Sequence, residues 1–267
     1  MKLDQDVVNE ANRVAVTPNE QLQIKVEGLR KVYELKGGCC KPMKPLVAVE
    51  NISFGLEAGE CFALLGVNGA GKSTTFKSLT SEVEPTSGSI HIGALDIRKD
   101  FNKIKKLIGY CPQTNPIFDY MSVEENIEYF ARIKGIPSTR RYELCDRAIK
   151  QLDLEDHRKK MAGALSGGNK RKLSVALAIV GSPPIILLDE PSAGMDPEAR
   201  RFMWRVVSQI ASDKTSAVIL TTHSMEEAEA LSTKMGIMVK GGVFKCFGTP
   251  QHIKDKFGTG FVIEIKA

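Results

Sequence analysis

The stretch GVNGAGKST, Gly66–Thr74, decides the fold of this chain. It follows the apolar run ECFALLG, which we interpret as a buried strand, and its last residues open GKSTTFKSLTSE, which is typical of a helix. The stretch fits the pattern G-x-x-x-x-G-K-[ST], whose glycines allow backbone N–H groups to turn toward phosphate oxygens. A glycine-rich turn that only caps a helix is the simpler alternative. Strand, loop, lysine and serine together favour a phosphate-binding loop.

The residue types within this loop predict how a triphosphate is held. We expect the backbone amides of residues 69–72 to point inward. The ammonium group of Lys72 then reaches the β- and γ-phosphates, and the hydroxyl of Ser73 becomes available to Mg²⁺.

Two carboxylates end the apolar run IILLDE, residues 185–190, which we interpret as another buried strand. Asp189 is predicted to orient Mg²⁺ through water, and Glu190 to act as a general base beside the γ-phosphate. Taken alone, the pair is equally consistent with an acidic corner between a strand and a loop. Gln113 and His223 end the runs LIGYCPQ and VILTTH, and each alone is more simply explained as a structural loop residue.

A second anion-binding pattern occurs in GALSGGNKRK, residues 163–172. Ser166 precedes two glycines and a predicted helix, so the free N–H groups of the helix N-terminus and the serine hydroxyl favour a negative charge. The alternative is that Ser166 only caps its helix.

Composition excludes several classes of protein. The net charge of +5 is mild, and the basic residues form no coherent stripe, so no nucleic-acid partner is expected. The six cysteines are scattered without a C-x-x-C pair, which indicates reduced thiols rather than disulfides or a zinc site. The polar start is no signal peptide, and no apolar run approaches the roughly 18 residues of a membrane span.

Alternation of strand and helix patterns predicts an α/β fold with a mainly parallel sheet. We expect a P-loop NTPase core of the RecA-like type, with an N-terminal antiparallel β-subdomain and an inserted helical subdomain at about residues 115–182. Residues 1–21 are predicted to form a polar lead-in or linker, and residues 22–267 one domain. KGGCCKPMKP is predicted to be a loop, and FVIEIK a last strand.

Several of these motifs together resemble one known family. Tyr33, GVNGAGKST, CPQ, LSGGN, IILLDEP, SAGMDP and TTHS occur in the order found in the ATP-binding cassette (ABC) ATPases. The stretches from LSGGN to DPEARR, HSMEEAEAL and GTPQHIKDKFGTG resemble the A subfamily, and most closely its second cassette. The lead-in also looks like the segment that follows the last membrane helix of that subfamily.

The resemblance implies a role for each matched residue. Tyr33 would stack on adenine, and Glu190 would be the base of ATP hydrolysis. Gln113 would touch Mg²⁺ and relay to the membrane domain, and His223 would hold the γ-phosphate and the attacking water. Asp196 would lie in a loop that crosses a dimer. The catalytic set would also include Lys72, and the metal set would be Ser73, Gln113 and Asp189. The residues that would wrap the phosphates are Gly66, Val67, Asn68, Gly69, Ala70, Gly71, Lys72, Ser73 and Thr74.

The resemblance also explains why one chain has two anion-binding patterns. In this family two cassettes meet head to tail, and the residues corresponding to Ser166, Gly167, Gly168 and Asn169 cap the nucleotide bound by the partner. Asn169 stands where glutamine is usual, which the A branch shares. The ten-residue KGGCCKPMKP lengthens the loop after Tyr33.

The expected function is therefore ATP binding and hydrolysis, with ATP and Mg²⁺ as cofactors, in a cassette that powers a transporter, and the resemblance implies that lipids are transported. The expected partners are a second cassette and a transmembrane domain, which places the chain on the cytosolic face of a membrane. The alternative is a non-transport ABC ATPase that acts on nucleic acid or ribosomes. Chromosome-type members carry a long coiled coil between the phosphate loop and the family's signature, which is SGGN at residues 166–169 here. This chain has no such coiled coil between Lys72 and Ser166.

Overall fold

A computed structural model describes residues 4–34 and 45–257 of the chain. The strands are β1 (Ile24–Tyr33), β2 (Leu46–Leu56), β3 (Cys61–Gly66), β4 (Ser87–Ile92), β5 (Leu95–Asp96), β6 (Ile108–Cys111), β7 (Ile185–Asp189), β8 (Ala217–Thr222), β9 (Lys234–Val239) and β10 (Val243–Gly248). The helices are α1 (Gln5–Val16), α2 (Lys72–Leu79), α3 (Phe101–Ile104), α4 (Val123–Ile133), α5 (Ser138–Gln151), α6 (Gly167–Ile179), α7 (Pro197–Ser212), α8 (Met225–Leu231) and α9 (Pro250–Phe257).

The central sheet has six strands in the order β10-β9-β3-β8-β7-β6. All neighbouring pairs are parallel except β10 and β9, which form an antiparallel hairpin. The side chains of β7 and β8 are buried along the whole strand, as expected where helices cover both faces of a parallel sheet. The carboxyl ends of β3, β6, β7 and β8 therefore lie at one edge of the sheet.

A second sheet is antiparallel and has the strand order β2-β1-β4-β5. It packs on the central sheet through aromatic side chains: the rings of Phe54 on β2 and Phe62 on β3 stack with centroids 4.7 Å apart, and Phe244 on β10 meets both edge-on. The P-loop NTPase fold class, with its mainly parallel core and N-terminal antiparallel sheet, is confirmed.

Helices α4, α5 and α6 lie between β6 and β7 in the chain. A capping box begins α4, since the Ser122 hydroxyl accepts from the Glu125 N–H while the Glu125 carboxylate accepts from the Ser122 N–H. Ile127 of α4, Ile149 of α5 and Leu177 of α6 are buried in one core cluster with the β7 side chain of Leu188. These helices occupy the region predicted as an inserted subdomain, whose boundaries at residues 115 and 182 stay a prediction.

The N-terminal residues correct one expectation. The segment interpreted as a polar lead-in or linker forms helix α1, which buries Val7 and Val14. Glu10 is also buried: its carboxylate pairs with Arg13 at 2.8 Å and accepts from the Gly55 N–H of β2 at 3.0 Å. The polar composition was misleading because the few apolar residues recur on one face, and the charged residues on that face are paired.

Helix α1 also contacts the last described helix. The carboxylate of Asp6 lies 2.9 Å from His252 Nε2 and 2.6 Å from Lys256 Nζ on α9. The hydrogen bond from Lys256 and then that from His252 lower the pKa of Asp6 to about 2. The two ends of the described chain are thus joined by charge-assisted hydrogen bonds.

Further expectations concern the cysteines, membrane spans and two other segments of the chain. Cys61, Cys111, Cys145 and Cys246 are buried free thiols, as predicted. Among residues 4–34 and 45–257, no helix is long and apolar enough to cross a bilayer. The predicted loop KGGCCKPMKP, with Cys39 and Cys40, and the predicted strand FVIEIK lie outside the described residues, apart from the final proline of the loop.

The buried carboxylate of α1 gives a stability prediction. Replacing Glu10 with alanine leaves the Gly55 N–H and the Arg13 guanidinium without this acceptor, so we expect the free energy of unfolding to fall by about 2 kcal/mol. Urea unfolding followed by circular dichroism measures the change. Glu20→Ala, at an exposed position, is the matched control. Equal unfolding midpoints for the two variants would show that α1 does not stabilise the fold.

Candidate functional site

The phosphate-type loop joins the end of β3 to the start of α2, as its sequence predicts. Gly69 and Gly71 have φ angles of +79° and +107°, which L-residues rarely adopt. A Cβ atom on Gly71 would also lie 2.4 Å from the carbonyl oxygen of Ala48. Only glycine therefore allows this loop to turn tightly against β2.

Lys72 is 6% exposed, and its ammonium group lies over the loop. It donates to the carbonyl oxygens of Gly66 at 2.6 Å and Val67 at 3.3 Å. Burial lowers the pKa of Lys72, while the nearby charges of Glu190 and Asp189 raise it. The ammonium group is thus held over the loop within the field of the two carboxylates.

A cleft of about 460 Å³ runs along this loop. It brings the predicted adenine-stacking residue, Tyr33, together with the loop, Gln113 and Glu190. Sequence reasoning missed its apolar wall, which is made by the first residues of β2. Leu46 lies opposite Tyr33 in the β1–β2 register, a pairing that no local pattern indicates. The lining residues are Tyr33, Leu46, Val47, Ala48, Asn68, Gly69, Gly71, Lys72, Ser73, Thr74, Gln113 and Glu190.

The two carboxylates leave the end of β7 in different environments. Asp189 is buried and accepts a hydrogen bond from the Thr221 hydroxyl. Burial raises the pKa of Asp189, which the Thr221 hydrogen bond opposes. Glu190 follows with a left-handed φ of +50°, and its N–H donates to Thr221 Oγ1 at 3.0 Å. This turn aims Glu190 into the cleft, and Thr221 is a supporting residue that sequence reasoning did not identify.

Glu190 brings together the two residues that could not be assigned from local sequence alone. Gln113 Nε2 donates to Glu190 Oε2 at 3.3 Å, and His223 Nδ1 lies 3.5 Å from Glu190 Oε1. The His223 side chain is 64% exposed, whereas that of Glu190 is mostly covered. The ends of β6 and β8 thus supply an amide and an imidazole that both contact the carboxylate at the end of β7.

The signature-like residues lie apart from this cleft. Ser166 caps α6, and its hydroxyl accepts from the Asn169 N–H at 3.3 Å. Gly167 faces open space, and Gly168 approaches only Met195. In the described part of the chain, neither residues 166–169 nor Asp196 line the cleft. Asp196 caps α7 by accepting from the Ala199 N–H at 2.9 Å.

Three oxygen donors near the loop suit a magnesium ion. The Ser73 hydroxyl and the Gln113 amide line the cleft, and Asp189 ends the adjacent strand. Hard oxygen donors of this kind, with one carboxylate and the remaining positions left to phosphates and water, are what Mg²⁺ prefers. In the described residues no group of three or more His, Cys, Asp and Glu forms a separate metal site.

Known proteins match this chain in sequence. The family model described as "ABC transporter" matches residues 49–193, just over half of the chain. The chain is 45% identical over 267 residues to "Phospholipid-transporting ATPase ABCA3" of Rattus norvegicus. It is 43% identical over 263 residues to "Retinal-specific phospholipid-transporting ATPase ABCA4" of Homo sapiens. Each match covers 98% of this chain but only 15% and 11% of the relative, so the chain spans a small part of these proteins.

Solved structures agree on the fold. The ATP-binding cassette MJ0796, solved as a dimer in a post-hydrolysis state bound to ADP and Pi, has a TM-score of 0.75 at 21% identity. The match covers 85% of this chain and 98% of that one. An ATP-binding subunit of an ABC transporter has the same TM-score at 26% identity, over 88% of this chain and 93% of that one.

The comparisons confirm the resemblance, and they give no support to the alternative of an ATPase that acts on nucleic acid. Family model, relatives and fold agree with a phosphate loop and a strand-end carboxylate, Glu190, that line one cleft. The chain belongs to the ABC transporter family, as an ATP-binding cassette of the A-subfamily type.

Proposed function

We propose that this chain binds and hydrolyses ATP and so powers a membrane transporter of which it is one part. The observation that carries the proposal is a single cleft that contains the loop lysine, Lys72, together with Gln113 and Glu190. A cleft that only bound a nucleotide would not require a carboxylate beside the terminal phosphate. Glu190 supplies a base there. Gln113 contacts one of its carboxylate oxygens and His223 contacts the other.

The proposed reaction is an in-line attack by water on the γ-phosphorus. Glu190 takes a proton from the water while the water oxygen bonds to the γ-phosphorus. The bond between the γ-phosphorus and the β,γ-bridging oxygen breaks. The products are ADP and phosphate. Lys72 neutralises charge on the β- and γ-phosphates, and His223 contacts the γ-phosphate and the water. Mg²⁺, held by Ser73, Gln113 and Asp189, supplies further charge neutralisation when it is bound.

Tyr33 is proposed to hold the adenine ring. It lines the cleft together with the apolar side chains of Leu46 and Val47, and Leu46 is its partner in the β1–β2 register. An aromatic face next to apolar side chains suits a purine, because stacking and burial of the ring both favour it. The loop amides and Lys72 then lie on the phosphate side of the same cleft.

A second cassette is proposed to complete the site. Ser166 and the N–H groups at the start of α6 are exposed and lie outside the cleft of their own chain. Such groups attract an anion, and the γ-phosphate held by Lys72 of a partner is an anion of the right kind. Gly167, Gly168 and Asn169 would join that contact, and Asp196 would cross between the two chains. Two cassettes related head to tail satisfy both patterns at once.

A transmembrane partner is supported by an exposed apolar surface beside Gln113. Phe118 and Tyr129 are exposed and meet edge to face at 5.1 Å, while Tyr120 is 96% and Ile133 64% exposed. Buried Asn126 fixes the loop by accepting from the Phe118 N–H at 2.8 Å and donating to its carbonyl at 3.1 Å. A rigid aromatic patch next to the catalytic loop suits a protein interface at the cytosolic face of a membrane.

The proposed cargo class is phospholipid. It rests on the two relatives described above, both of which are phospholipid-transporting ATPases. Because the chain corresponds to 15% or less of their lengths, substrate contacts would lie in the parts that it does not cover.

Replacing Lys72 with alanine removes the cation that neutralises the transferred phosphate. We expect the hydrolysis rate to fall roughly 100-fold or more. Phosphate release from Mg²⁺-ATP measures it. Lys77→Ala, an exposed lysine on the same helix, should stay within about twofold of the unchanged chain. Undiminished hydrolysis by Lys72→Ala would remove the phosphate-loop assignment.

Replacing Glu190 with glutamine removes the base but keeps the phosphate loop and the charge of Lys72. We expect this variant to form a dimer with Mg²⁺-ATP, and not with ADP, because the γ-phosphate links the two chains. Size-exclusion chromatography with light scattering, with a second copy or a supplied partner cassette, measures the state. Adding Ser166→Arg should keep ATP binding and abolish the dimer. A Glu190→Gln chain that stays monomeric with ATP at every concentration would contradict the shared site.

The transport proposal is tested in liposomes that contain the whole transporter. With ATP, a fluorescent phospholipid should change leaflet in the unchanged protein, as reported by dithionite quenching. Glu190→Gln should reduce that transport to the rate without ATP. Transport that is equally fast in the variant would show that hydrolysis by this cassette does not drive it.

A further inference from the structure

Arg171 makes contacts that the proposed reaction does not yet explain. It lies one turn into α6 and is 4% exposed, yet within residues 4–34 and 45–257 no carboxylate oxygen is among its hydrogen-bond partners. Its guanidinium donates instead to backbone carbonyls and to one side-chain amide of two loops. The acceptors are the carbonyl oxygens of Pro112, Gln113, Asp189, Glu190 and Pro191, and Asn115 Oδ1.

These acceptors belong to the two loops that carry the proposed catalytic groups. Nη1 donates to Pro112 at 2.6 Å and to Gln113 at 3.2 Å, after β6. Nη2 donates to Asp189 and, at 3.0 Å, to Glu190, and Nε donates to Pro191 at 3.1 Å, after β7. One planar group therefore holds the backbone of both loops in a fixed relation to α6.

We propose that Arg171 is a positioning residue for ATP hydrolysis, which joins the helix that begins at the signature to Glu190 and Gln113. The inference rests on the proposed function, and it adds how the partner-facing end of α6 is connected to the base of its own chain. Ser166 caps the same helix, so a displacement of α6 by a bound partner moves Arg171 and the loops that it holds.

The backbone of Glu190 explains why such a contact is needed. A φ of +50° is unfavourable for glutamate and persists only where neighbouring groups enforce it. Its N–H is held by Thr221, and its carbonyl oxygen by Arg171. With both sides of the residue fixed, the carboxylate is held in the cleft, within contact of Gln113 and His223. Releasing the carbonyl allows the peptide to relax and the base to turn away.

Arginine is specifically suited to this task. Its five donors lie in one plane and reach acceptors on two loops at once, whereas a lysine ammonium is a single point at the end of a flexible chain. A purely structural arginine would stabilise the fold without acting through Glu190. The two roles differ in what they predict for kcat, for KM and for a variant that already lacks the base.

The first experiment compares Arg171→Lys and Arg171→Met with Lys172→Met. Lys172 is the adjacent buried cation of α6, but it pairs with Asp153 and lies 4.2 Å from the ring centre of Phe202, away from the cleft. We expect kcat to fall roughly 10- to 100-fold in both Arg171 variants. The KM for ATP should stay within about twofold, because Arg171 has no bond to residues 66–74. Lys172→Met should keep the kcat of the unchanged chain, and thermal melts identify any variant that fails to fold.

The second experiment combines Arg171→Lys with Glu190→Gln and measures single-turnover hydrolysis. If Arg171 acts through Glu190, adding Arg171→Lys lowers the residual rate of Glu190→Gln by less than about twofold, since the base is already lost. A full multiplicative loss, or an Arg171→Lys chain with unchanged kcat, overturns the inference.

Failure of the proposed function would give a different experimental result. The unchanged chain would then bind ATP without hydrolysing it, and the inference would be tested by amide exchange. Arg171→Lys should speed exchange at the N–H groups of Gln113, Asp189 and Glu190, and Lys172→Met should not. Equal protection of these amides in the two variants would contradict the positioning role even without a rate.

Discussion

The parallel alignment of β3, β8, β7 and β6 is the constraint on which the site depends. Each strand ends at the same edge of the sheet, and each is followed directly by a group with a chemical role. The loop with Lys72 follows β3, Gln113 follows β6, Glu190 follows β7 and His223 follows β8. These residues are far apart in the chain. The ladder of backbone hydrogen bonds brings Lys72, Gln113 and Glu190 to one cleft, and His223 into contact with Glu190.

Several polar groups of the site are held by specific partners. Lys72 is held by loop carbonyls, Asp189 by Thr221, and Glu190 by Gln113 and His223. In a partly buried cleft an unpaired charge is costly, and a paired one is held in a defined position. Arg171 extends this arrangement from side chains to the backbone of two loops.

The structure of one chain contains half of each of two proposed sites. The cleft lacks the donors of α6, because residues 166–169 do not line it. In the proposed dimer the γ-phosphate bridges these two halves, and its removal by hydrolysis weakens the contact. Arg171 lies between the two surfaces of a single chain. The position of the partner and the geometry of the base would therefore depend on one another.

The predicted phosphate loop, buried strands and fold class all followed from local patterns. Those features are local because a glycine with a positive φ, a cap or an apolar run depends on residues within a few positions. Composition alone misjudged α1, since polar content concealed an apolar face and a buried pair of Glu10 and Arg13.

Other features depend on contacts between residues that are distant in the chain. Leu46 in the cleft wall, Thr221 beside Asp189 and the bonds of Arg171 to two loops arise from strand order and register. No short stretch of sequence encodes them, because each contact exists only once the strands lie side by side. The sequence alone determined which chemical groups the protein carries and the local turns that present them. The tertiary structure decided which of them meet, because the sheet brings distant strand ends together.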